Sequence, residues 1–454
     1  MNIIPKELAG VLTIAGLVLI LALNLIFSQP IELSLMLTGV LLLTTVFLYN
    51  PGWGVFLFLL IRPALDSFGD SAQVRLTEHI SLNASAGLGL LMIFLTAVFF
   101  VKNFQYIKQI PLKFFWFLYL TAIAVSILFS IEKLISFYEL LRLISIFSVF
   151  GLAFVITRIQ KNPRFIFYAV LSSAVIPALA GFYQFLTGSG ISRTLGIESR
   201  IYGTFSHPNS FASFLLIIFA ICLFYFLYHK EKSPQDKNKK TASALGASFI
   251  FVLLIATFSR GAWLALLIFG FILSIFKNPK ILLYVGAALL AAILIFEPVR
   301  DRVEDLYNPP ITGSVYWRMQ QWSEMYTLFK ENPLTGYGAG TETIVHEQEF
   351  GFYAGNPYTH NDLLKNALEA GVFGALTYAA LLLAAAVKLF KGYLKESSKT
   401  RKVLLLIVLS LFIAESAFGM SSNILRGTAA QWTLWAIFGA TLATMTIKKP
   451  GKLS

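Results

Sequence analysis

One cysteine occurs in 454 residues, Cys222, inside an apolar run. That excludes an intramolecular disulfide and a cysteine-based zinc site. Charge is scarce as well: Asp, Glu, Lys and Arg make up 13% of the chain, against about a quarter in a soluble domain. Nucleotide motifs are missing, with no Walker loop and no glycine-rich dinucleotide fingerprint, and there is no His-x-x-x-His pair or other dedicated metal cage. No internal repeat or low-complexity linker divides the chain, so it reads as one domain over 1–454. The first apolar run, Leu8 to Ser28, lacks a small-residue cleavage site and reads as a membrane span rather than a signal peptide.

What is abundant is apolar surface. Hydrophobic residues make up 57% of the chain and mean hydropathy is +0.73, which predicts an all-α polytopic integral membrane protein. Apolar runs lie near 8–28, 31–49, 53–65, 83–101, 114–130, 143–157, 165–187, 210–228, 244–258, 262–276, 281–297, 372–390, 403–422 and 429–447. The third, ninth and tenth are short for a bilayer, so twelve to fourteen transmembrane helices are expected. A polar excursion over 298–371 interrupts them and reads as a large extracytoplasmic loop containing amphipathic helices. The formal net charge of +13 is then topology rather than a sign of nucleic acid.

With the N-terminus inside, alternation puts 20 Lys and 3 Arg on the cytoplasmic side and 3 Lys and 10 Arg outside, accounting for all 36 basic residues. The positive-inside rule is met with both termini cytoplasmic. Lysine on the inner face suits anchoring near anionic lipid heads. The outer arginines are Arg62, Arg75, Arg142, Arg193, Arg200, Arg260, Arg300, Arg302, Arg318 and Arg426. Arginine binds phosphate with a planar fork and stays charged when partly desolvated. Pairing with outer acids such as Asp301, Glu304 and Asp305 is the alternative, strongest for Arg300 and Arg302.

Four stretches concentrate the chemistry. Arg200 to Ser210 ends a loop opened by Gly188-Ser189-Gly190 and leads into a span, where Asn209 or Ser210 can cap the helix behind Pro208. Arg200 beside that helix N-terminus makes an anion site; His207 is not needed for a cap. Arg260 lies between two runs of about 15 residues, each roughly 22 Å long as helix against a core of roughly 30 Å, so an ionised group is held near the headgroup level. Ser314 to Glu331 reads as an amphipathic helix capped by Ser314, with Arg318, Trp322, Met325 and Phe329 on one face against the membrane. Asn332-Pro333 ends it and Gly336, Gly338 and Gly340 supply a flexible turn. Finally, Thr359 to Gly371 reads as a helix start. The helix dipole there disfavours imidazolium and keeps His360 neutral, as a general base requires. His346 has no comparable setting, His79 is in another outer loop and His229 is cytoplasmic. Glu415 is an intramembrane acid, with Arg426 or another outer arginine as a partner to consider.

Taken together, these stretches resemble the bacterial O-antigen ligase and O-antigen polymerase superfamily of membrane glycosyltransferases. The resemblance is carried by Arg200 with Gly203-Thr204-Phe205 and His207-Pro208-Asn209, Ser259-Arg260-Gly261, Trp317-Arg318 with Asn332-Pro333-Leu334 and Gly336-Tyr337-Gly338, and Thr359-His360-Asn361 with Glu369-Ala370-Gly371. It covers roughly 195–375 by motif. It implies a GT-C-like fold in the inner membrane, acting at its outer face. The implied reaction moves a glycan from a polyprenyl (undecaprenyl) diphosphate donor to a hydroxyl of a glycan, lipid or protein acceptor, with inversion and with neither metal nor nucleotide cofactor. Carried over by motif, Arg200, Arg260 and Arg318 would bind the diphosphate and His360 would be the base, with His207, Asn209, Asn361 and Glu369 in support. A polymerase of the same superfamily shares every one of these motifs. A lipid-linked glycan transporter or flippase stays open as a different class, although charges crowding one surface and the lack of repeated halves argue against it.

Overall fold

The computed structural model describes residues 2–27, 31–66, 73–75, 81–191, 199–228, 233–307, 314–351 and 358–447. His79, Arg193, His229, Lys230, Lys232 and the lysines of the C-terminal tail lie outside the described residues, as do the side chains of Arg75, Asp305 and Ser314. In chain order come α1 (Lys6–Phe27), α2 (Ile31–Tyr49), α3 (Pro51–Ala64), an antiparallel hairpin of β1 (Gln73–Arg75) and β2 (Ser81–Asn83), α4 (Ala84–Lys102), α5 (Lys113–Ser126), α6 (Lys133–Gln160), α7 (Arg164–Ser173), α8 (Val175–Thr187), α9 (Pro208–Tyr228) and α10 (Pro234–Ala256). They continue with α11 (Arg260–Phe276), α12 (Lys280–Ile295), α13 (Glu297–Tyr307), α14 (Ser314–Glu331), α15 (Glu342–Phe350), α16 (Asp362–Lys395), α17 (Lys399–Gly419) and α18 (Thr428–Thr444).

Each of the fourteen apolar runs falls on a helix, with 165–187 shared by α7 and α8. Among the described residues, eight helices are long and apolar enough to cross a membrane, α7 and α8 counting as one. Helices α2, α3, α5 and α11 are shorter apolar helices, and α12 meets α13 at a 102° bend. The chain is an all-α polytopic membrane protein. One expectation changes: the ninth run is not short. Ser233 Oγ accepts the N–H of Asp236 at 3.1 Å, and with Pro234 at the first position it starts the helix ten residues before the apolar stretch.

Packing separates two compact units: Met1–Pro111 with Ile144–Pro177 and Trp435–Ser454, and Leu112–Leu143 with Ala178–Leu434. In the first, Asn50 Oδ1 accepts from the N–H of Gly52 at 3.1 Å and of Trp53 at 3.4 Å and starts α3 behind Pro51. Its core gathers aromatic rings, Phe150 meeting Trp435 edge-on at 5.5 Å.

The second unit is centred on α9, which is apolar all round and buried over most of its length against α10, α11 and α17. Within its apolar length, Ser213 Oγ donates to Glu415 Oε2 of α17 at 2.7 Å. Glu415 therefore has a serine partner; Arg426 pairs elsewhere.

The excursion is packed on α16. Met325 and Leu328 of α14, Val345 of α15 and Leu368 of α16 form a small core with Tyr337 and Leu364 against it, each buried apolar side chain contributing about 1.5–3 kcal/mol of transfer free energy. The fully buried stripe of α14 is Gln321, Met325 and Leu328. The expected Arg318-Trp322-Met325-Phe329 face is thus turned by about one position, because the helix packs on protein as well as facing lipid. The turn behind it is not flexible. Helix α16 breaks at Ala370 and Gly371, and Tyr337 N–H donates to Leu368 O at 3.0 Å, Gly338 N–H to Glu369 O at 2.8 Å and Val372 N–H to Pro333 O at 2.8 Å. Gly371 takes φ +65°, and a Cβ there would lie 2.2 Å from Leu334 O, so only glycine fits the break.

Candidate active site

His360 is held by its neighbour. The main-chain N–H and the hydroxyl of Thr359 both donate to Glu342 Oε2, the N–H at 3.0 Å. Trp322 Nε1 donates to Thr359 O at 2.7 Å. With all its polar groups engaged, Thr359 is a fixed anchor. His360 follows in the left-handed region at φ +49°, a conformation costing a non-glycine residue about 1–3 kcal/mol. Asn361 then closes the turn as cap of α16, its Oδ1 accepting from Leu363 N–H at 3.1 Å and Leu364 N–H at 3.0 Å. The expected helix start is present, and Asn361 serves as its cap.

The imidazole of His360 is buried, lies edge-on to Trp317 with centroids 5.4 Å apart, and its Nδ1 has no hydrogen-bond partner among the described residues. Burial, then the charge of Arg318, with Arg200 and Arg426 adding to it, holds the ring well below the usual histidine range. It is neutral through the physiological range, but desolvation and nearby cations are the cause rather than the helix dipole alone.

Arg318 makes no hydrogen bond or ion pair with any described residue, and its Nε is buried. Burial first, and then Arg260, push its guanidinium down to about 10. A desolvated guanidinium beside a second one stores unfavourable energy that an anion would release. Arg260 is the first residue of α11 and donates from Nη1 to Arg302 O at 3.2 Å. Phe258, two residues earlier, is a second strained non-glycine position at φ +48°.

Arg200 is held through both its main chain and its side chain. It exchanges main-chain hydrogen bonds with Ile191 at 3.0 and 3.1 Å; its Nε donates to Thr257 O at 2.9 Å and its Nη2 to Asn209 Oδ1 at 3.0 Å. Asn209 is a hub, taking Ser259 Oγ at 3.0 Å on the same oxygen and donating to Ser422 Oγ at 2.9 Å. It links the Arg200 loop, the start of α11 and the end of α17. The cap of α9 falls instead to His207, whose Nδ1 accepts the N–H of Asn209 at 3.0 Å. Burial, then Arg200 and Arg318, push His207 down to about 3. Its ring centroid lies 6.4 Å from that of His360.

Thus Arg200, His207, Arg318 and His360 share one space, with Arg260 next to Arg318 and Asn209 behind Arg200. Glu369 has a different setting. It accepts from Lys365 Nζ at 2.5 Å, and Lys365 also donates to Glu139 at 3.1 Å, which chelates Arg142 at 2.7 Å. That buried ion network ties α16 to the start of α6. Beside the site, an apolar cavity of about 450 Å³ is lined by Trp322, Tyr326, Phe329, Asn361, Leu363 and Leu376 among others.

Sequence reasoning missed Glu342, Gln184 and the pairing of Arg426. Glu342 is fully buried and also takes Arg426 Nη1 at 3.2 Å, while Arg426 stacks 3.7 Å over Tyr358. Gln184 clamps Gly203 through its N–H at 2.8 Å and its carbonyl at 2.9 Å. A lone acid after the glycine-rich turn was the available signal for Glu342; nothing local marks Gln184. Of the two arginines expected to pair with acids, Arg300 meets Glu297 at 3.6 Å and the carbonyl of Arg302 accepts from Arg260; Arg62, without such an expectation, pairs with Asp66 at 3.0 Å.

Residues 244–379 match the O-antigen ligase family. The chain is also similar to an O-antigen ligase of Salmonella typhimurium, 31% identical over 179 residues, which covers 35% of this chain and 41% of the relative. The match thus spans less than half of that relative's length.

Proposed function

We propose, from the match of 244–379 to the O-antigen ligase family and the similarity to an O-antigen ligase, that this chain is a multi-pass inner-membrane glycosyltransferase of that kind. It moves a glycan from a polyprenyl diphosphate to an acceptor hydroxyl on the extracytoplasmic side, with both termini in the cytoplasm. The split of lysine and arginine between the two faces supports that orientation.

The observation that carries the reading is Arg318: a guanidinium with a buried Nε and no partner among the described residues, pressed by Arg260 and adjoining a neutral His360. A diphosphate supplies the missing counter-charge, and Arg200, fixed from behind by Asn209, completes the clamp. The apolar cavity beside Asn361 offers the isoprenoid chain a surface. In the reaction the acceptor oxygen attacks the anomeric carbon, the carbon–oxygen bond to the diphosphate breaks with inversion, its electrons leave with the polyprenyl diphosphate, and the hydroxyl proton passes to His360. Donor binding also prepares the base. The incoming negative charge offsets Arg318 and Arg200, and the imidazole recovers affinity for a proton when one must be taken. No metal is assigned a part.

Purified protein in nanodiscs, given an undecaprenyl diphosphate oligosaccharide and candidate acceptors in the presence of chelator, tests this. Acceptor-dependent release of undecaprenyl diphosphate is expected, abolished in His360→Ala and Arg318→Ala. Product size separates a ligase, which adds one block, from a polymerase, which extends it. Donor that binds and stays intact, but crosses the bilayer of vesicles, would instead identify a transporter.

A further inference from the structure

One nitrogen of His207 is used by the protein itself. Its Nδ1 accepts the N–H of Asn209 in the first turn of α9, and an accepting ring nitrogen carries no proton. The neutral ring therefore bears its proton on Nε2. Protonating Nδ1 would break that cap and set two N–H groups against each other, so the ring is locked as a neutral donor. Among the described residues its Nε2–H meets no acceptor. The charges of Arg200 and Arg318 both act on the ring, whose centroid lies 6.4 Å from that of His360.

We infer that His207 donates Nε2–H to the diphosphate oxygen that becomes the leaving atom, opposite in polarity to His360, which accepts the acceptor's proton. This rests on the proposed transfer. No proton moves at His207: the bonding electrons pass to the diphosphate oxygen, and the hydrogen bond from Nε2 strengthens as charge collects there. The arginines neutralise charge present from the start. A neutral donor on the leaving oxygen instead favours the transition state over bound substrate, so its effect belongs in kcat.

Two near-isosteres separate the ring's nitrogens. His207→Asn keeps an acceptor near Nδ1, and asparagine is a good helix cap, but it removes the donor at Nε2. His207→Gln carries an amide N–H toward the Nε2 position and loses the cap. Measured with undecaprenyl diphosphate oligosaccharide, His207→Asn should lose about 10²-fold in kcat with a melting temperature near wild type. His207→Gln should keep most of kcat and melt lower. The reverse pattern, active His207→Asn and inactive His207→Gln, would leave His207 a cap and overturn the inference; so would equal loss in both. Should wild type release no undecaprenyl diphosphate with any acceptor, the transfer reading fails first. Binding of undecaprenyl diphosphate itself then decides: weaker in His207→Asn than in His207→Gln upholds the hydrogen bond, and equal binding removes it.

Discussion

The carboxylate of Glu342 holds the main-chain N–H of Thr359 at 3.0 Å, one residue before the imidazole of His360. Seventeen positions separate the pair in sequence, and the contact fixes a backbone that His360 leaves at positive φ. Glu342→Ala would strand the Thr359 N–H and the Arg426 guanidinium, a loss of about 3 kcal/mol or more in stability. In protein that still folds, loosening His360 should cost about 10²-fold in kcat with donor KM little changed, because the diphosphate arginines are untouched. Glu342→Gln keeps one acceptor for Thr359 and should fall between. Unchanged kcat in Glu342→Ala would show that His360 does not depend on this mooring.

The pH dependence of transfer follows from the depressed His360. In free enzyme the imidazole is held well below the histidine range, so the base is available down through pH 6.5 and the acid limb of kcat/KM should lie well under that value. Bound diphosphate offsets Arg318 and Arg200, so the limb in kcat should lie higher than the limb in kcat/KM. Coincident limbs near 6.5 in both profiles would mean that the arginines do not act on His360.

Stability should respond to His207 separately. Its folded value is about 3 against an ordinary 6.5, so the unfolded chain takes up a proton across that window while the folded chain does not. Its contribution is fully present above pH 6.5 and declines as pH falls from 6.5 toward 3, by about 1.4 kcal/mol per unit. The melting temperature of wild type should therefore start near that of His207→Asn at pH 7 and fall below it as pH is lowered toward 4. Parallel curves would show a ring that protonates freely when folded.

How much of this was legible in sequence depends on distance along the chain. Spans are set by the thickness of hydrocarbon, a local property, and all fourteen apolar runs fall on helices. The helix start within Thr359 to Gly371 is likewise local. The face of α14 was misjudged because Trp322 and Phe329, although apolar, border a cavity while Gln321 is buried. Period alone does not tell a polar residue with an interior partner from one facing water. Asn209 joining Ser259 and Ser422, and Glu342 meeting Arg426, are meetings of distant segments that no spacing encodes.

The break in α16 gives a test of packing. Gly371→Ala must hold φ +65° with a methyl 2.2 Å from Leu334 O. Left-handed backbone alone costs alanine about 1–2 kcal/mol, and relieving the overlap would break the hydrogen bond from Val372 N–H to Pro333 O. The melting temperature should drop by several degrees, whereas Gly286→Ala on α12, where a Cβ meets nothing within 4 Å, should leave it unchanged. Equal behaviour of the two variants would show that the turn yields easily.

Arg318 separates stability from function most sharply. Its buried Nε has no partner among the described residues and Arg260 repels it, so the charge is a liability of about 1–3 kcal/mol. Arg318→Met replaces it with an apolar chain of similar length and should raise the melting temperature of the ligand-free protein. Undecaprenyl diphosphate should stabilise wild type in proportion to the logarithm of its concentration over Kd, and that increment should vanish in Arg318→Met. A functional charge kept at the expense of stability predicts both results together. A variant that is less stable than wild type and still gains from the ligand would mean that Arg318 is a structural residue, and the diphosphate would have to be sought at Arg200 and Arg260 alone.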